Sequence, residues 1–435
     1  MANVVVIGAG LGGLPTAYEL RHLLPPEHTV TLISDRPKFT FIPGLARVAL
    51  DLDPLDHFQL DLDPLAQQHG LELITSKVTA FDPYAKRITV EDGRTVDYDY
   101  VAIATGPGFA FDQVPGLGPH GGYTHSICSA SHAVEAREAW LQFLENPGPL
   151  VVGAAPGAGC FGPAYEFVLM ADWILRRKGL RHKASLTLVT PEPYAGHLGV
   201  SGVKNAQKLT EALLRKRGVE IIDDVAITRI DRQTLTLDDG RTLSHQYAMI
   251  LPAFRGVKFI LDSPGLGNDK GFIPITSTQQ HPHFPEIYSL GVSVNLAQPD
   301  KPRVPIGLPK SGQMTEAMGM AVAHNIAVAL GAVQAPPQRP TLEAICFAEF
   351  GDTGILYVAA PVLPDPVTGQ RHRAYAVQGK WVVWGKTLFE QYFMTKMRLG
   401  AAVPWFERLG LKTLFGVDLV TSTTVTPQKT MIGVN

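Results

Sequence analysis

Residues 4–13, VVVIGAGLGG, decide the fold of this chain. The β-branched run before Gly8 predicts a buried parallel strand. Gly8, Gly10 and Gly13 then complete the spacing G-x-G-x-x-G that opens a helix. In a dinucleotide-binding domain these glycines allow the tight turn, the close approach of a pyrophosphate and the packing of helix against strand. We therefore expect a Rossmann-like domain at the amino terminus.

The segments that follow complete a candidate nucleotide site. A second predicted strand ends at Ser34 and Asp35, where an acidic side chain can bind a ribose hydroxyl. An Asp-Gly hairpin then precedes a buried strand that ends in Thr105 and Gly106. These features predict one dinucleotide against the glycine turn, Asp35 and the end of the later strand.

The same order of elements recurs about 145 residues later. Three segments match earlier ones: LVVG at 150–153, LTLVT at 186–190 and an Asp-Gly hairpin at 235–243. In this copy Ala155 and Pro156 interrupt the glycine spacing, and Thr190 stands where the first copy has an acid. The duplication predicts two similar α/β domains, of which only the first keeps a dinucleotide site.

A cysteine, Cys160, stands where the second copy begins its helix. Backbone N–H groups at a helix N-terminus stabilise a thiolate, so Cys160 is a candidate reactive sulfur. The alternative is a cysteine that only fills space in the core. The two other cysteines are Cys128 and Cys346, and no spacing is C-x-x-C, so we expect neither a disulfide scaffold nor a zinc site.

Length and composition limit the classes of function. With 435 residues, 45% of them hydrophobic, the chain can form two or three domains. Its formal net charge of -2 argues against nucleic acid as a partner, because phosphate binding needs an excess of basic residues. The amino terminus shows no charged segment followed by a cleavable apolar one, so no signal peptide is predicted.

The remaining segments set the predicted domain limits. A core helix is expected from about Gln313 to Leu330, with its N-terminus, opened by Lys310, facing the cofactor. A proline-rich linker at 332–340 follows. The predicted fold is α/β, with a first Rossmann-like domain at 1–145, a second at 146–255, a return segment at 256–331 and a C-terminal α+β region at 332–435.

With these residues the chain resembles the sulfide:quinone oxidoreductases, membrane-associated flavoproteins with two dinucleotide-binding domains. The resemblance covers nearly the whole chain and rests on the turn at Gly8 and on four later motifs: SIC at 126–128, GAGCFGPAYE at 157–166, EPY with GHLG at 192–199, and CF at 346–347. It implies FAD as the cofactor, sulfide as the electron donor and ubiquinone or a related membrane quinone as the acceptor. It leaves the oligomeric state open, a homo-oligomer included.

The resemblance also implies roles for individual residues. Cys160 and Cys346 form a disulfide, or a sulfur-bridged form of it, beside the flavin, and hydrosulfide attacks one sulfur to give a persulfide. Cys128 is either auxiliary in sulfur release or structural. Three residues either move protons near the sulfur or are satisfied polar groups of the interior: His132, Glu166 and His197.

Contacts to both redox partners follow from the same resemblance. The implied flavin-binding residues are Gly8, Ala9, Gly10, Leu11, Gly12, Gly13, Ser34, Asp35, Ile42, Pro43, Val78, Thr105, Gly106, Gly291, Gly307, Lys310 and Lys386. Val292 replaces the aspartate that such flavoproteins place after Gly291, where glycine still permits close approach of the backbone. The implied quinone-binding residues are Phe347, Lys386, Phe389 and Phe406.

The C-terminal residues are rich in aromatic and basic side chains. The segment is too charged to span a bilayer, and its apolar side chains alternate with Lys396, Arg398, Arg408 and Lys412. Either its apolar face, which includes Phe393, lies in one leaflet with the basic groups on anionic headgroups, or it packs as an ordinary core. The resemblance favours a peripheral, monotopic attachment to the cytoplasmic membrane.

Three other functions stay open at this point. A flavocytochrome sulfide dehydrogenase shares the essential cysteine pair but is exported to a cytochrome partner. A type II NADH:quinone oxidoreductase shares the fold but needs an intact second glycine turn. A flavin-bound scaffold whose C-terminal aromatic residues dock a protein would need no cysteine pair.

Overall fold

Two parallel β-sheets organise the molecule, whose computed structural model describes residues 1–365 and 367–423. The first sheet contains five strands in the spatial order Ile287–Ser289, Tyr100–Ile103, Asn3–Ile7, Thr29–Ser34 and Glu72–Thr75. Its central strands are buried, β-branched runs, as is typical of parallel sheets covered on both faces. The strand at 287–289 follows the second sheet in the chain, so two separate segments build this sheet.

The second sheet repeats the arrangement with four parallel strands. Their spatial order is Val219–Ile222, Leu186–Val189, Leu150–Ala154 and Tyr247–Leu251. The prediction of two tandem Rossmann-like units is therefore confirmed. A short antiparallel pair, Gly108–Phe109 with Phe254–Arg255, follows the last strand of each repeat and joins the two units.

Small antiparallel sheets accompany the Rossmann units. Each repeat carries the hairpin that its Asp-Gly turn predicts. In the first repeat the strands are Val78–Asp82, Arg87–Val90 and Thr95–Asp97. In the second repeat they are Ile227–Ile230, Thr234–Leu237 and Thr242–Ser244. A further two-stranded sheet pairs Lys38–Thr40 with Gln59–Asp61.

Helices connect and cover these sheets. The α-helices before the C-terminal region are Gly13–Leu23, Leu45–Ala49, Leu62–Gln68, Ala130–Glu145, Gly162–Arg177, Ala206–Lys216, Lys258–Leu261 and Gly312–Ala329. Short 3-10 helices are Ile42–Gly44, Leu55–Phe58, Phe111–Gln113, Arg181–Lys183 and Gly291–Ser293. The alanine-rich helix Gly312–Ala329 is buried, as predicted, and packs on Gly13–Leu23. A Cβ at Gly319 would lie 2.3 Å from Thr16 Oγ1, so small residues permit this close helix crossing.

The C-terminal region adds an α+β layer that shares the main core. A three-stranded antiparallel sheet, Ala344–Glu349, Gly354–Ala360 and Arg373–Gly379, precedes helices Trp381–Arg398 and Trp405–Gly410 and a π-helical turn, Leu411–Phe415. The predicted linker over 332–340 is wrong in its last residues, because Gln338–Pro340 pairs with the returning strand Val420–Ser422. Among the described residues no helix is long and apolar enough to cross a membrane.

Candidate active site

Cys160 lies just ahead of helix Gly162–Arg177 rather than on its first residue, which corrects the sequence-based placement. The Gly162 backbone N–H still acts to lower the thiol pKa. Burial has the larger effect and raises that pKa well above its ordinary value. Solvent nevertheless reaches the residue. Cys160 is therefore accessible to a small reactant, while the surrounding protein disfavours its thiolate.

All three cysteine sulfurs lie in one neighbourhood and are free thiols in this structure. Negative charge on Cys346 or Cys128 would raise the pKa of Cys160. A Cβ at Gly162 would lie 3.7 Å from the Cys346 sulfur, so glycine leaves room for that sulfur beside the first helical turn. Burial raises the pKa of Cys346 to about 12 and that of Cys128 to about 11. The structure thus brings together two cysteines that are far apart in sequence.

A buried ion network lies next to Cys346. The Lys386 ammonium donates to Glu166 Oε1 at 2.6 Å, and the Glu349 backbone N–H donates to the same oxygen at 2.9 Å. Burial raises the pKa of Glu166, and Lys386 partly offsets this. Burial lowers the pKa of Lys386, but Glu166, Glu390 and Glu349 outweigh it, so the ammonium is stabilised.

The network contains more carboxylates than cations. Arg47 Nη1 donates to Glu349 Oε1 at 2.6 Å, and Glu390 Oε1 lies 3.9 Å from the Lys386 nitrogen. Burial raises the pKa of Glu390 to about 7. A group that titrates near neutrality can hold and release a proton, and Glu390 does so next to Lys386 in this network.

Glu192 is a second buried carboxylate, in the loop after the second strand of the degenerate Rossmann unit. Its Oε2 accepts hydrogen bonds from Tyr165 and Thr190 hydroxyls, both at 2.6 Å, and its Oε1 accepts from the Leu198 N–H. The Tyr165 hydroxyl in turn accepts from the Gly196 N–H at 2.8 Å. The acid near the usual ribose-binding position is therefore engaged by its own chain.

The raised pKa of Glu192 should make the free energy of unfolding depend on pH. Burial raises its pKa from 4.5 to about 7, so the folded state retains a proton that the unfolded chain releases. The stability that protonated Glu192 contributes is fully present below pH 4.5 and is lost as the pH rises through about 7. The loss lowers the free energy of unfolding by about 3 kcal/mol. Between about pH 5 and about pH 8.5 we expect the midpoint temperature of thermal unfolding to change less with pH in Glu192→Gln than in the unaltered protein. Equal pH dependence of both proteins would contradict this.

The two candidate histidines lie in different surroundings. His132 packs among aromatic rings, with its ring centroid 5.7 Å from Phe109. His197 lies with Nε2 3.6 Å from Asp300 Oδ2, in the loop that Glu192 anchors. Burial lowers the pKa of both imidazoles.

The glycine turn fits a dinucleotide. A Cβ at Gly8 would lie 2.4 Å from the Ala104 carbonyl oxygen, and one at Gly13 would lie 1.7 Å from the Gly8 carbonyl oxygen. A Cβ at Gly10 would meet no atom within 4 Å, so this residue faces the open space where a pyrophosphate requires approach. Gly12 packs against Thr315 and Leu290. Among the described residues the buried Gln313 Nε2 has no partner, which leaves a donor at the start of helix Gly312–Ala329.

The other predicted cofactor residues divide into exposed and packed positions. Asp35 is exposed, whereas the Ser34 hydroxyl is used locally, donating to the Arg36 carbonyl at 2.8 Å. Burial lowers the pKa of Lys310 to about 8, and its ammonium lies 5.3 Å from the Phe272 ring. Ala9 and Val78 are buried, Leu11, Thr105 and Gly106 are half-buried, and Ile42 and Pro43 are exposed.

Two predicted glycines pack against protein. A Cβ at Gly291, whose φ is +72°, would lie 2.9 Å from Thr315 Cγ2. A Cβ at Gly307 would lie 2.9 Å from the Gly159 Cα, directly beside the Cys160 turn. The neighbour that requires glycine at 291 is therefore the helix that carries Thr315.

The predicted quinone residues lie on three C-terminal elements. Phe389 and Lys386 share helix Trp381–Arg398, and the Phe389 ring lies 6.5 Å from Phe41. Phe347 is adjacent to Cys346 on its strand. Phe406 is half exposed, 6.0 Å from the Tyr392 ring.

Lys396 and Phe393 are interior, which corrects their predicted place on a membrane face. Lys396 is 2% exposed, with its nitrogen 2.6 Å from Glu316 and 3.0 Å from Glu407. The short helix that carries Glu407 packs back over Lys396 and encloses it. Phe393 is 1% exposed and packs on Phe41.

Three members of the ion network were missed from the sequence: Arg47, Glu349 and Glu390. Glu349 offered a signal, because an acid within an apolar strand three residues after a candidate cysteine requires a buried partner. Arg47 offered none, since it comes from the other end of the chain.

Comparison with known proteins decides the family. Residues 2–293 match the model of the pyridine nucleotide-disulphide oxidoreductases. The chain is 37% identical over 427 residues to the sulfide-quinone reductase of Aquifex aeolicus, covering 95% of each protein. The chain belongs to the sulfide:quinone oxidoreductase family.

Other comparisons agree with this family. The crystal structure of the sulfide:quinone oxidoreductase from Aquifex aeolicus matches with a TM-score of 0.93 and 36% identity, covering 98% of both chains. A mitochondrial sulfide:quinone oxidoreductase of Dictyostelium discoideum is 23% identical over 306 residues, or 68% of this chain and 66% of that protein. The family predicted from the motifs is thus confirmed. The chain is an oxidoreductase of a flavoprotein family.

Proposed function

We propose that this chain oxidises sulfide to polysulfide or sulfur and passes the two electrons through FAD to a membrane quinone. The observation that carries the proposal is the position of Cys346 against Gly162, close to Cys160 and to the pair of Glu166 and Lys386. Two thiols can hold the incoming sulfur, and the ion pair can take up its proton. Anaerobic titration with sulfide is the direct test.

The proposed sulfur chemistry begins with Cys160 and Cys346 joined by a disulfide. Hydrosulfide attacks one sulfur, so a new S–S bond forms as the old one breaks, giving a cysteine persulfide and a cysteine thiolate. Loss of the persulfide proton and of two electrons then joins the two groups into a sulfur-bridged pair. The sum is HS⁻ plus quinone plus H⁺ giving zero-valent sulfur plus quinol.

Residues around the sulfurs supply charge and protons for these steps. The Gly162 N–H stabilises the thiolate form of Cys160. The Lys386 ammonium lowers the pKa of Cys346, whereas the Glu166 carboxylate raises it. We assign to Glu166 the uptake of the persulfide proton, with Glu390 as the next group in the network.

FAD is the cofactor that the glycine turn, Asp35 and the start of helix Gly312–Ala329 would hold. When bound, it accepts the electron pair from sulfur and returns it to quinone. Gln313 Nε2 and the Lys310 ammonium supply donors at that helix end. We propose that Phe347, Phe389 and Phe406 contact the quinone. Lys386 is proposed to contact both the flavin and the quinone.

Gly10→Ala should lower FAD content without unfolding the chain. A methyl group there meets no protein atom, so it projects only into the space needed by the pyrophosphate. We expect flavin per protein, measured by absorbance after purification, to fall at least about tenfold. Gly410→Ala, another open position with ordinary φ, should keep full flavin. Full flavin in Gly10→Ala would refute the site.

A membrane surface is proposed for the apolar patch formed by Trp384, Leu388, Trp405, Leu409 and Leu414. These side chains are between 52% and 74% exposed on consecutive C-terminal helices. Large exposed apolar patches mark interaction sites, and a lipid-soluble quinone must enter from a bilayer. Trp384 and Leu388 share helix Trp381–Arg398 with Lys386 and Phe389, which supports an attachment beside the proposed quinone residues.

The second Rossmann unit offers little to a nicotinamide cofactor. A Cβ at Gly153 would lie 2.1 Å from the Val189 carbonyl oxygen, so this glycine serves strand packing. Glu192 is occupied by Tyr165 and Thr190. These contacts favour sulfide over NADH as the donor.

A further inference from the structure

The turn before Cys160 is hydrogen-bonded to a later segment of the chain. The Gly157 N–H donates to the Pro305 carbonyl at 2.6 Å, and the Gly307 N–H donates to the Ala158 carbonyl at 2.8 Å. The two bonds run in opposite directions between the same two stretches of backbone. They therefore fix the turn directly ahead of the candidate reactive sulfur.

A side-chain amide ties this later segment to the loop after the second strand of the degenerate Rossmann unit. Gln298 Nε2 donates to the Gly199 carbonyl at 2.9 Å and, in a longer contact of 3.4 Å, to the Gly307 carbonyl. Asp300 Oδ1 adds a second tie, because it accepts from the Ser201 hydroxyl at 3.0 Å. The loop is thus linked to the segment that holds the turn.

Glu192 and Tyr165 connect the same loop back to the helix that begins just after Cys160. Glu192 Oε1 accepts from the Leu198 N–H at 2.5 Å, and its Oε2 accepts from the Tyr165 hydroxyl at 2.6 Å. Tyr165 lies in the first turn of helix Gly162–Arg177, and both side chains are only 1% exposed. The hydrogen bonds therefore close a ring that runs from the turn through the later segment, the loop and Glu192 to the helix.

We propose that Glu192 and Gln298 are positioning residues that hold the Cys160 sulfur in place for reaction with sulfide. The inference rests on the proposed function, in which Cys160 must rejoin Cys346 after every attack by hydrosulfide. Misplacing reacting atoms by about 1 Å can lower a rate about 100-fold, so a fixed turn is worth the buried polar groups that it needs. Both residues act through the turn and not on the reacting atoms. The acid near the ribose-binding position of the second unit thus serves the sulfur site.

Alkylation of Cys160 tests this positioning without turnover. The full-length, flavin-bound protein is reduced with dithiothreitol, freed of the reductant under argon and treated with iodoacetamide, and the labelled peptides are quantified by mass spectrometry. A loosened turn lets the sulfur reach water, which raises its thiolate fraction and its reactivity. We expect labelling of Cys160 relative to Cys128 to rise at least about threefold in Gln298→Ala and in Glu192→Leu.

Asn325→Ala is the matched control for these variants. The Asn325 amide also bridges two carbonyls, those of Thr278 and Gln338 at 3.0 Å and 2.8 Å, and neither belongs to the ring. Its labelling ratio should stay within about twofold of that of the unaltered protein. Unfolding of the whole chain would expose both cysteines and would not raise the ratio. A rise of less than about threefold in Gln298→Ala, or an equal rise in the control, would overturn the proposal.

Rapid kinetics give a second, independent measurement. At saturating sulfide we expect the limiting rate of flavin reduction to fall at least about tenfold in Glu192→Leu, with unchanged flavin content. Glu192→Gln should recover the rate to within about threefold of the unaltered protein, because its amide oxygen can accept from the Leu198 N–H and its nitrogen can donate to the neighbouring hydroxyl oxygens. A smaller fall, or no recovery in Glu192→Gln, would overturn the proposal. Failure of sulfide to reduce the flavin of the unaltered protein would instead refute the proposed function, while the labelling ratio would still report on the turn.

Discussion

Replacing Cys160 or Cys346 with alanine should lower sulfide-dependent quinone reduction by at least about 100-fold. Neither thiol alone can both hold the incoming sulfur and release a thiolate, and the structure places the two at the same helix start. Flavin content should be unchanged, because neither side chain belongs to the glycine turn. The measurement is the initial rate of quinone reduction with sulfide.

Cys128→Ser is the matched control for these variants. Its sulfur lies in the same neighbourhood, and burial raises its pKa to about 11, yet it precedes a different helix, Ala130–Glu145. We expect it to retain activity within about tenfold of the unaltered protein. Near-normal turnover in Cys160→Ala or Cys346→Ala would remove the proposed mechanism.

Replacing Trp405, Leu409 and Leu414 with serine should abolish binding to phospholipid vesicles. Each apolar side chain that leaves water contributes roughly 1.5–3 kcal/mol, so losing three lowers the affinity at least about 1,000-fold. Arg408 lies 3.7 Å from Glu19, and Lys412 lies 3.0 Å from Asp418. Because each basic group has an acidic partner within the chain, most of the binding to vesicles should come from apolar contact. Sulfide should still reduce the flavin of this variant. Vesicle flotation measures the binding.

The control for this variant replaces exposed apolar residues elsewhere, namely Tyr84, Leu141 and Leu261, with serine. Point changes are preferable to deleting residues 404–435. Such a deletion removes buried Val417 and Leu419 and takes Glu407 away from Lys396. Vesicle binding by the Trp405 triple variant equal to that of the control would show that the patch serves another purpose.

Much of the fold follows from local pattern. The run before Gly8 and its repeat before Gly153 carry the unbroken apolar signature of parallel strands, and both lie at the centre of their sheets. The Asp-Gly turns predict both hairpins. Sequence reasoning failed at 338–340, because that strand exists only through its distant partner Val420–Ser422.

The candidate site was predictable in its parts and not in its assembly. The residue type and motif of Cys160 and Cys346 were enough to predict sulfur chemistry. Their proximity was not predictable, because it depends on the packing of a C-terminal sheet against a helix of the second unit. Lys396 was misplaced for the same reason. A basic residue among aromatic ones reads as a surface position, and only the carboxylates of Glu316 and Glu407 make its burial tolerable.

Anaerobic titration of the purified full-length protein tests the central claim most directly. About one equivalent of sulfide per flavin should bleach the visible flavin absorbance, quinone should restore it, and NADH should leave it unchanged. Bleaching by NADH and not by sulfide would contradict the account and identify the chain as an NADH-dependent enzyme, and a flavin that responds to neither would show a non-catalytic flavoprotein.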